Sequence, residues 1–200
     1  MKKLFTLVGL LGAVMMSAQE TADNAGEGFR IDWNFRAYGI YPIQLGDHSL
    51  AKAHDANIGY GLNMGFVSYD NFSLYGGLEF VKYDVTDRAR IGNIENSNYT
   101  SVYGAVKYKI AVADNIALYP AIGLGSTVIK QRTRNKFFGE QDGTELRLGL
   151  SANYSVSERW SLFLGTHFIY SRLQINTSPE YEKFFGQANQ LQLSVGIQFE

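Results

Sequence analysis

The sequence predicts an all-β protein, an eight-stranded antiparallel up-and-down β-barrel that crosses a membrane. Three observations predict this fold. Segments in which apolar and polar residues alternate recur eight times after Gly28, and alternation with a period of two is typical of strands. Short and long connections between these segments also alternate. One face of the segments is apolar and uncharged, whereas the other carries many charges, which fits an apolar exterior around a polar interior.

The first 28 residues are predicted to lie outside the barrel. Two lysines precede an apolar run from Leu4 to Met16, and small residues follow it, which is the pattern of a secretory signal peptide. This run is shorter than the ~20 residues that a membrane-spanning helix needs. We therefore expect a cleaved signal peptide at 1–18, a flexible segment at 19–28 and a transmembrane β-barrel at 29–200.

The amino-acid composition argues against several classes of protein and of binding site. The chain has no cysteine, which excludes disulfides and cysteine-based metal sites. Its formal net charge of −1 argues against a nucleic-acid binder. Glycine, tyrosine and phenylalanine are abundant while only 3 residues are proline, which suits strands that must curve. We expect no cofactor and no metal.

The eight predicted strands share the alternating pattern. They are Phe29–Tyr41, Ala56–Tyr69, Phe72–Val85, Tyr99–Val112, Ile116–Ile129, Thr144–Val156, Trp160–Ile175 and Asn189–Glu200. Pro42 is expected to end the first strand because proline has no N–H to donate. Pro120 falls on the apolar face of the fifth strand, where it costs a ladder hydrogen bond unless a bulge absorbs it.

The connections between the strands are of two kinds. Three are predicted to be tight turns, and they lie at Asp70–Asn71, Asp114–Asn115 and Ser157–Arg159. Four are predicted to be long loops, and they lie at 43–55, 86–98, 130–143 and 176–188. Because the chain reverses direction at every connection, all long loops lie at one end of the barrel and all short turns at the other.

The charged face predicts a polar network inside the barrel. The interior of an eight-stranded barrel is just wide enough for side chains, so charges there must pair with one another or with trapped water. Many glycines on the same face would make room for them. The predicted network consists of Arg30, Asp32, Arg36, Glu79, Lys107, Glu145, Arg147 and His167.

Aromatic residues form two bands on the apolar face, as in the girdles of membrane barrels. The band near the short turns contains Phe29, Phe66, Phe72, Tyr108, Tyr154, Trp160 and Phe199. The band near the long loops contains Tyr41, Tyr60, Phe80, Phe168 and Tyr170. A soluble ligand-binding barrel, with its apolar face inside, is the alternative.

The last strand is very regular, and we expect it to close the barrel by pairing with the first, since an open edge invites aggregation. Its apolar positions are Leu191, Leu193, Val195, Ile197 and Phe199. With this strand and the loop pattern, the chain resembles the eight-stranded outer-membrane barrels of Gram-negative bacteria, of the OmpX and OmpA transmembrane-domain type. The terminal strand is similar to the signal that the barrel-assembly machinery reads, although here Glu200 follows the aromatic residue.

The resemblance implies location and partners. It implies the outer membrane of a Gram-negative bacterium, with short turns in the periplasm and long loops outside. It implies contact with outer-membrane lipid and lipopolysaccharide, assembly by the barrel-assembly machinery, and a monomer. That family hosts unrelated activities, so the fold alone does not decide the function.

The favoured function is a structural, adhesive or interaction role through the extracellular loops, since loops on a rigid scaffold commonly carry function. The third loop is distinctive because Lys130, Arg132, Arg134 and Lys136 alternate beside Phe137 and Phe138. It could bind anionic lipopolysaccharide head groups or a partner protein. A solvated basic loop without a ligand is the plainer interpretation.

Two other functions stay open. A narrow, porin-like pore would need free space in a lumen that the network residues are expected to plug. A lipid-modifying enzyme would need a nucleophile and a base within reach of each other. His48, His54 and His167 lie in no recognisable serine–histidine–acid arrangement, so we expect no catalytic site.

Overall fold

The computed structural model describes residues 28–31, 33–134 and 136–199. Its strands are β1 (Phe29–Ile31), β2 (Phe35–Gln44), β3 (His54–Ala56), β4 (Gly59–Tyr69), β5 (Phe72–Val85), β6 (Asn96–Tyr108), β7 (Ile110–Ala113), β8 (Ile116–Thr133), β9 (Lys136–Ser155), β10 (Trp160–Gln174) and β11 (Gln187–Phe199). Its helices are α1 (Ser49–Ala53), α2 (Arg88–Ile91) and α3 (Pro179–Phe185). None of the helices in these ranges has the length and apolar character needed to cross a membrane. The predicted signal peptide and most of the flexible segment lie outside the described residues.

Eight strands close into a ring in which every neighbouring pair is antiparallel. Around the ring the order is β2, β4, β5, β6, β8, β9, β10, β11 and again β2. Three short strands add to this ring. β1 precedes β2 and, like β2, pairs with β4, while β7 follows β6 and, like β6, pairs with β8. β3 pairs with β5. The predicted eight-stranded up-and-down barrel is therefore confirmed.

The C-terminal strand closes the ring as predicted. β11 pairs with β2 from Phe199 opposite Phe35 to Gln190 opposite Gln44. The glutamines of β11 face the interior, where Gln198 is 1 % exposed, while Val195 on the other face is 64 % exposed. The alternation in the sequence thus predicts both the strand with which β11 pairs and which of its faces points into the barrel.

Gly196 permits close approach of the two strands at this seam. An added Cβ would collide with the carbonyl oxygen of Ala37 and lie 2.6 Å from the Cβ of Tyr38. We expect Gly196→Ala to lower the free energy of unfolding by about 1–3 kcal/mol, because a tightly packed site tolerates no extra methyl group. Urea unfolding in detergent micelles measures this.

Gly39 on the same seam provides the control. Its added Cβ would have its nearest neighbour, the carbonyl oxygen of Val195, at 4.0 Å, which is ordinary contact. Gly39→Ala should therefore leave stability nearly unchanged. Equal losses for the two variants would contradict the close packing of β11 against β2.

Pro42 does not end the first strand, contrary to prediction. β2 continues to Gln44, and Pro42 lies opposite Gln192 of β11. The pairing of β2 with β4 ends at Ile40, so beyond that residue β2 has β11 as its ladder partner and an edge on its other side. Proline is tolerated at such an edge because no N–H is required there.

Pro120 lies within a continuous strand, because β8 runs from Ile116 to Thr133. The ladder from β8 to β6 ends at Ala121, and the ladder to β7 begins at Leu118. The break between β6 and β7 therefore lies beside the proline, which removes the need for its missing N–H.

The prediction that residues 130–143 form a loop without strands is wrong. β8 and β9 continue as a hairpin whose strands end at Thr133 and start at Lys136. Lys130 lies opposite Glu140, and opposite charges on facing strands stabilise a hairpin. The other three long connections are loops as predicted, and they contain α1, α2 and α3 respectively.

The exterior is apolar and carries both aromatic bands. At the short-turn end the rings of Trp160 and Phe199 lie 5.0 Å apart between centroids. At the long-loop end the rings of Tyr60 and Phe80 lie 5.3 Å apart. Between the bands Leu164 is 65 % exposed. This arrangement is that of a barrel whose outside faces lipid.

Candidate functional site

The centre of the lumen contains a buried ion cluster around Arg147. Its Nη2 lies 2.5 Å from Oε2 of Glu79 on β5, and its Nε lies 2.6 Å from Oε1 of Glu145 on its own strand. All three residues are at most 2 % exposed. The guanidinium also stacks 3.8 Å from the ring centroid of Tyr103. One cation thus bridges two carboxylates from β5 and β9.

Hydroxyl groups complete the coordination of these carboxylates. Tyr38 donates to Oε1 of Glu79 at 3.0 Å, and Tyr99 donates to Oε2 of Glu145 at 2.7 Å. Ser101 donates to the other oxygen of Glu145. The predicted network includes none of these three residues. Their alternation with outward-facing residues of β2 and β6 does place them on the inner face, and this could have identified them.

Glycines make room for this cluster, as the sequence suggested. A Cβ on Gly61 would collide with the ring of Tyr38, and one on Gly77 would lie 2.5 Å from the ring of Tyr103. The two large rings can therefore reach across the lumen. Together with the ion cluster they fill the barrel at this height, which argues against the narrow pore.

A second group of cations lies below this cluster, towards the short turns. Arg36 donates from Nε to Oε1 of Gln198 and lies 3.4 Å from Oδ1 of Asn153. Its guanidinium stacks 4.8 Å from the ring of Phe163. Lys107 places its Nζ 5.2 Å from the ring centroid of Tyr119. Amides and aromatic rings surround these cations.

Of the predicted network, the structure places Arg36, Glu79, Lys107, Glu145, Arg147 and His167 in the lumen. Arg30 does not join them, because it is exposed on β1, where the strand extends past the ring and pairs with β4 at Ser68. Asp32 lies outside the described residues.

His48 and His54 anchor the first loop. His48 accepts the backbone N–H of Ala51 on Nδ1 at 3.3 Å and places Nε2 3.0 Å from the backbone oxygen of Asn189. His54 places Nδ1 3.1 Å from the carbonyl oxygen of Ser49. Burial lowers the pKa of both histidines, so both favour the neutral form.

His54 also forms a serine–histidine pair that the sequence does not reveal. Its Nε2 lies 2.9 Å from Oγ of Ser97. Ser97 is 0 % exposed, and the other ring nitrogen of His54 faces a backbone carbonyl rather than a carboxylate. The pair therefore fastens the first loop to the barrel rim. Among the described residues no group of three or more His, Cys, Asp or Glu side chains could hold a metal ion.

The β8–β9 hairpin carries a group of basic residues at the long-loop end of the barrel. Its four basic residues are Lys130, Arg132, Arg134 and Lys136, and all four are exposed. Beside them Phe137 is 64 % exposed and Phe138 54 % exposed. No carboxylate in the described ranges lies within 4.0 Å of the four basic groups.

The second loop holds the tip of this hairpin in place. Glu95 accepts the backbone N–H of Arg134 on Oε2 at 2.7 Å and donates its own N–H to the carbonyl of Arg132 at 2.9 Å. An open pocket of about 320 Å³ lies between the hairpin and the second and fourth loops, and Ile94 and Phe138 are among its lining residues. The basic side chains are thus presented on an ordered scaffold.

Comparisons with known proteins agree with this architecture. A family model described as "Outer membrane protein beta-barrel domain" matches residues 8–199. No curated protein matches the sequence. Among solved structures, Neisserial surface protein A is similar with a TM-score of 0.64 and 14 % identity, over 86 % of this chain and 99 % of that one. The outer membrane protein AlkL in lipid bilayers is similar with a TM-score of 0.50 and 14 % identity, over 88 % and 92 % of the two chains.

Proposed function

The chain belongs to the family of outer membrane protein β-barrel domains of Gram-negative bacteria, and from this premise we propose that it mediates interactions at the cell surface through its β8–β9 hairpin. The observation that carries the proposal is the exposed set of four basic side chains next to Phe137 and Phe138. Cationic and aromatic side chains together suit an anionic partner, because charge steers the encounter and aromatic area supplies contact.

The hairpin starts near the outer boundary of the lipid and extends beyond it, because the tilt of the strands makes the height gained smaller than the length along the strand. Leu124 faces outward in the apolar belt and Lys130 follows six residues later on the same strand. At about 3.3 Å per residue the first basic residue stands ~20 Å further along the strand. We infer that the patch meets an anionic polymer outside the cell, such as the phosphorylated sugars of lipopolysaccharide or an acidic partner macromolecule.

The filled lumen supports a surface role over transport. The cluster of Glu79, Arg147 and Glu145 occupies the centre of the barrel, and both of its carboxylates contact the guanidinium. The hairpin, by contrast, carries charges with no partner at ion-pair distance in the described part of the chain. Unpaired, exposed charge on an ordered scaffold is what a binding surface requires.

Binding to a polyanion tests the proposal. The variant with Lys130, Arg132, Arg134 and Lys136 replaced by Ser should bind dextran sulfate at least about tenfold more weakly, with a smaller dependence on salt, because fewer counterions are exchanged. Surface plasmon resonance on the detergent-solubilised barrel measures this. Heat-modifiable migration on gels verifies that the variant barrel is folded.

The chain offers a control of equal charge. Lys52, Lys82, Arg88 and Arg90 are four other cations near the long-loop end, and each is ion-paired with a carboxylate. Replacing these four by Ser changes the net charge by the same amount at a different place. Equal weakening by both variants would show general electrostatic attraction and would overturn the assignment to the hairpin.

We also propose that the outward face of β11 is the segment that the assembly machinery reads. Leu193, Val195 and Ile197 all face outward at the seam where the ring closes. A strand that displays a regular apolar face and has an edge that pairs only on closure is suited to recognition before closure. The cleaved signal peptide at 1–18 remains a prediction, and mass spectrometry of the mature protein tests it.

A further inference from the structure

An open pocket of about 420 Å³ lies between the upper end of β10, α3 and the start of β11. This volume is within the range of sites that bind small molecules or head groups. Its lining includes Tyr170, Arg172, Glu182, Lys183 and Gln187. All of its described lining residues lie outside the β8–β9 hairpin, so the site is independent of the proposed surface function.

The pocket borders the lipid-facing side of β10 at the level of lipid head groups. Leu164, Tyr170 and Arg172 alternate with buried residues on the outward face of this strand. Arg172 follows Leu164 by eight residues, which is ~26 Å along the strand at about 3.3 Å per residue. A strand tilt of about 40° reduces this to a height of ~20 Å. The hydrocarbon ends ~15 Å from the midplane and the head groups extend to ~20–22 Å, so Arg172 lies among them.

Backbone hydrogen bonds fix α3 beside this part of β10. The N–H of Leu173 donates to the carbonyl oxygen of Gly186 at 2.8 Å, and the N–H of Gly186 donates to the carbonyl oxygen of Glu182 at 2.7 Å. Lys183 is exposed in the last turn of the same helix. Its position beside the pocket is therefore set before a ligand binds, which lowers the entropic cost of binding.

The described lining carries more positive than negative charge. Arg172 and Lys183 contribute two cations and Glu182 one carboxylate. Neither cation lies within 4.0 Å of a carboxylate oxygen in the described ranges. Gln187, which lies opposite Arg172 in the ladder, and the hydroxyl of Tyr170 add neutral donors. A guanidinium fork and an ammonium group together are well suited to a phosphate group.

We propose that this pocket binds the phosphate group of a lipid in the leaflet at the long-loop end of the barrel. Arg172 and Lys183 contact the phosphate, and Tyr170 lies at the boundary between head group and acyl chains, where amphipathic rings are favoured. The apolar belt continues directly below, and Phe168 and Leu164 are exposed there. This belt favours a phosphate carried by a lipid over a free phosphate ion, because the acyl chains gain apolar contact.

Native mass spectrometry of the barrel in detergent micelles tests the proposal. Titration with phosphatidic acid should give a one-to-one complex at a concentration roughly tenfold lower than titration with diacylglycerol of the same acyl chains. Replacing Arg172 and Lys183 together by Gln should weaken phosphatidic acid binding at least about tenfold and leave diacylglycerol binding unchanged. Both side chains are exposed, so the variant should fold, and heat-modifiable migration on gels verifies this. Unchanged binding of phosphatidic acid by the double variant would overturn the proposal.

The short-turn end of the barrel offers a control of equal charge. Lys109 and Arg159 are exposed there, and no ion pair within 4.0 Å involves either of them in the described ranges. Replacing these two by Gln should leave phosphatidic acid binding intact. Equal weakening by both double variants would show general attraction of anionic lipid to a cationic surface and would count against the pocket.

Two further measurements identify the source of the phosphate and the role of the carboxylate. Inorganic phosphate in tenfold molar excess over phosphatidic acid should not displace the lipid, and efficient displacement would show that the pocket takes free phosphate instead. Glu182→Gln should tighten phosphatidic acid binding, because it removes a negative charge from the lining. Weaker binding by this variant would contradict contact between the phosphate and this pocket. The variant with the four basic hairpin residues replaced by Ser should bind phosphatidic acid like the wild type, which keeps this test separate from that of the surface function.

Discussion

Replacing Arg147 by Met is expected to lower the free energy of unfolding of the barrel by about 3–5 kcal/mol, because it leaves buried carboxylates without their cation. Glu79 and Glu145 are each at most 2 % exposed, and both are within 2.6 Å of the guanidinium. Removing the cation also removes a ring contact with Tyr103. Urea unfolding of the barrel in lipid vesicles, followed by tryptophan fluorescence, measures the loss.

Two further variants separate charge from packing. In the triple variant Arg147→Met, Glu79→Gln and Glu145→Gln, no charge of this cluster remains, so a substantial part of the loss should be recovered. Arg90→Met removes an arginine from an exposed pair with Asp87 and should change stability by less than about 1 kcal/mol. A triple variant no more stable than Arg147→Met would show that packing, not charge, makes the cluster important.

The fold could be predicted because the two faces of each strand meet different surroundings. Between the aromatic bands, residues such as Leu164 meet lipid while their neighbours, such as Phe163, meet the lumen. This difference imposes the period of two that the sequence displays. Strand number, order and the pairing of β11 with β2 all follow from it.

Where both faces of a strand meet water, the same reasoning fails. Residues 130–143 show no alternation of apolar and polar types, yet they form the upper part of a hairpin. Arg30 is an example at the opposite end of the barrel. The alternation assigns it to the inner face, but it is exposed because β1 extends past the ring. Alternation with a period of two therefore indicates which part of each strand crosses the membrane, and it does not indicate the full length of the strand.

The partners within the lumen could not be predicted from the pattern. Alternation places Glu79 and Arg147 inside, but it does not show that strands β5 and β9 bring them to the same height. That height depends on the stagger between strands around the ring. For the same reason the sequence grouped Arg36 and Lys107 with Glu79 and Glu145, whereas the structure places these two cations nearer the short turns, beside rings such as those of Phe163 and Tyr119.

Replacing Leu164 by Arg should lower the free energy of unfolding in vesicles by about 2–4 kcal/mol, the cost of a charge on the lipid face near the bilayer midplane. Leu164 is 65 % exposed on β10 and lies midway between Trp160 and Tyr170 of the two aromatic bands. The side chain can reach water from there only by bending towards a head-group region.

The loss of stability caused by an introduced arginine should depend on how deep in the bilayer the arginine lies. Val156 is 59 % exposed and follows β9 at the short-turn end, outside the belt, so Val156→Arg should change stability by about 0–1 kcal/mol. In detergent micelles, which deform around a charge more readily than a bilayer, the penalty at Leu164 should shrink. Equal, small effects at both positions in vesicles would contradict a lipid-facing belt centred on Leu164, because a charge there would then not be in a low-dielectric surrounding.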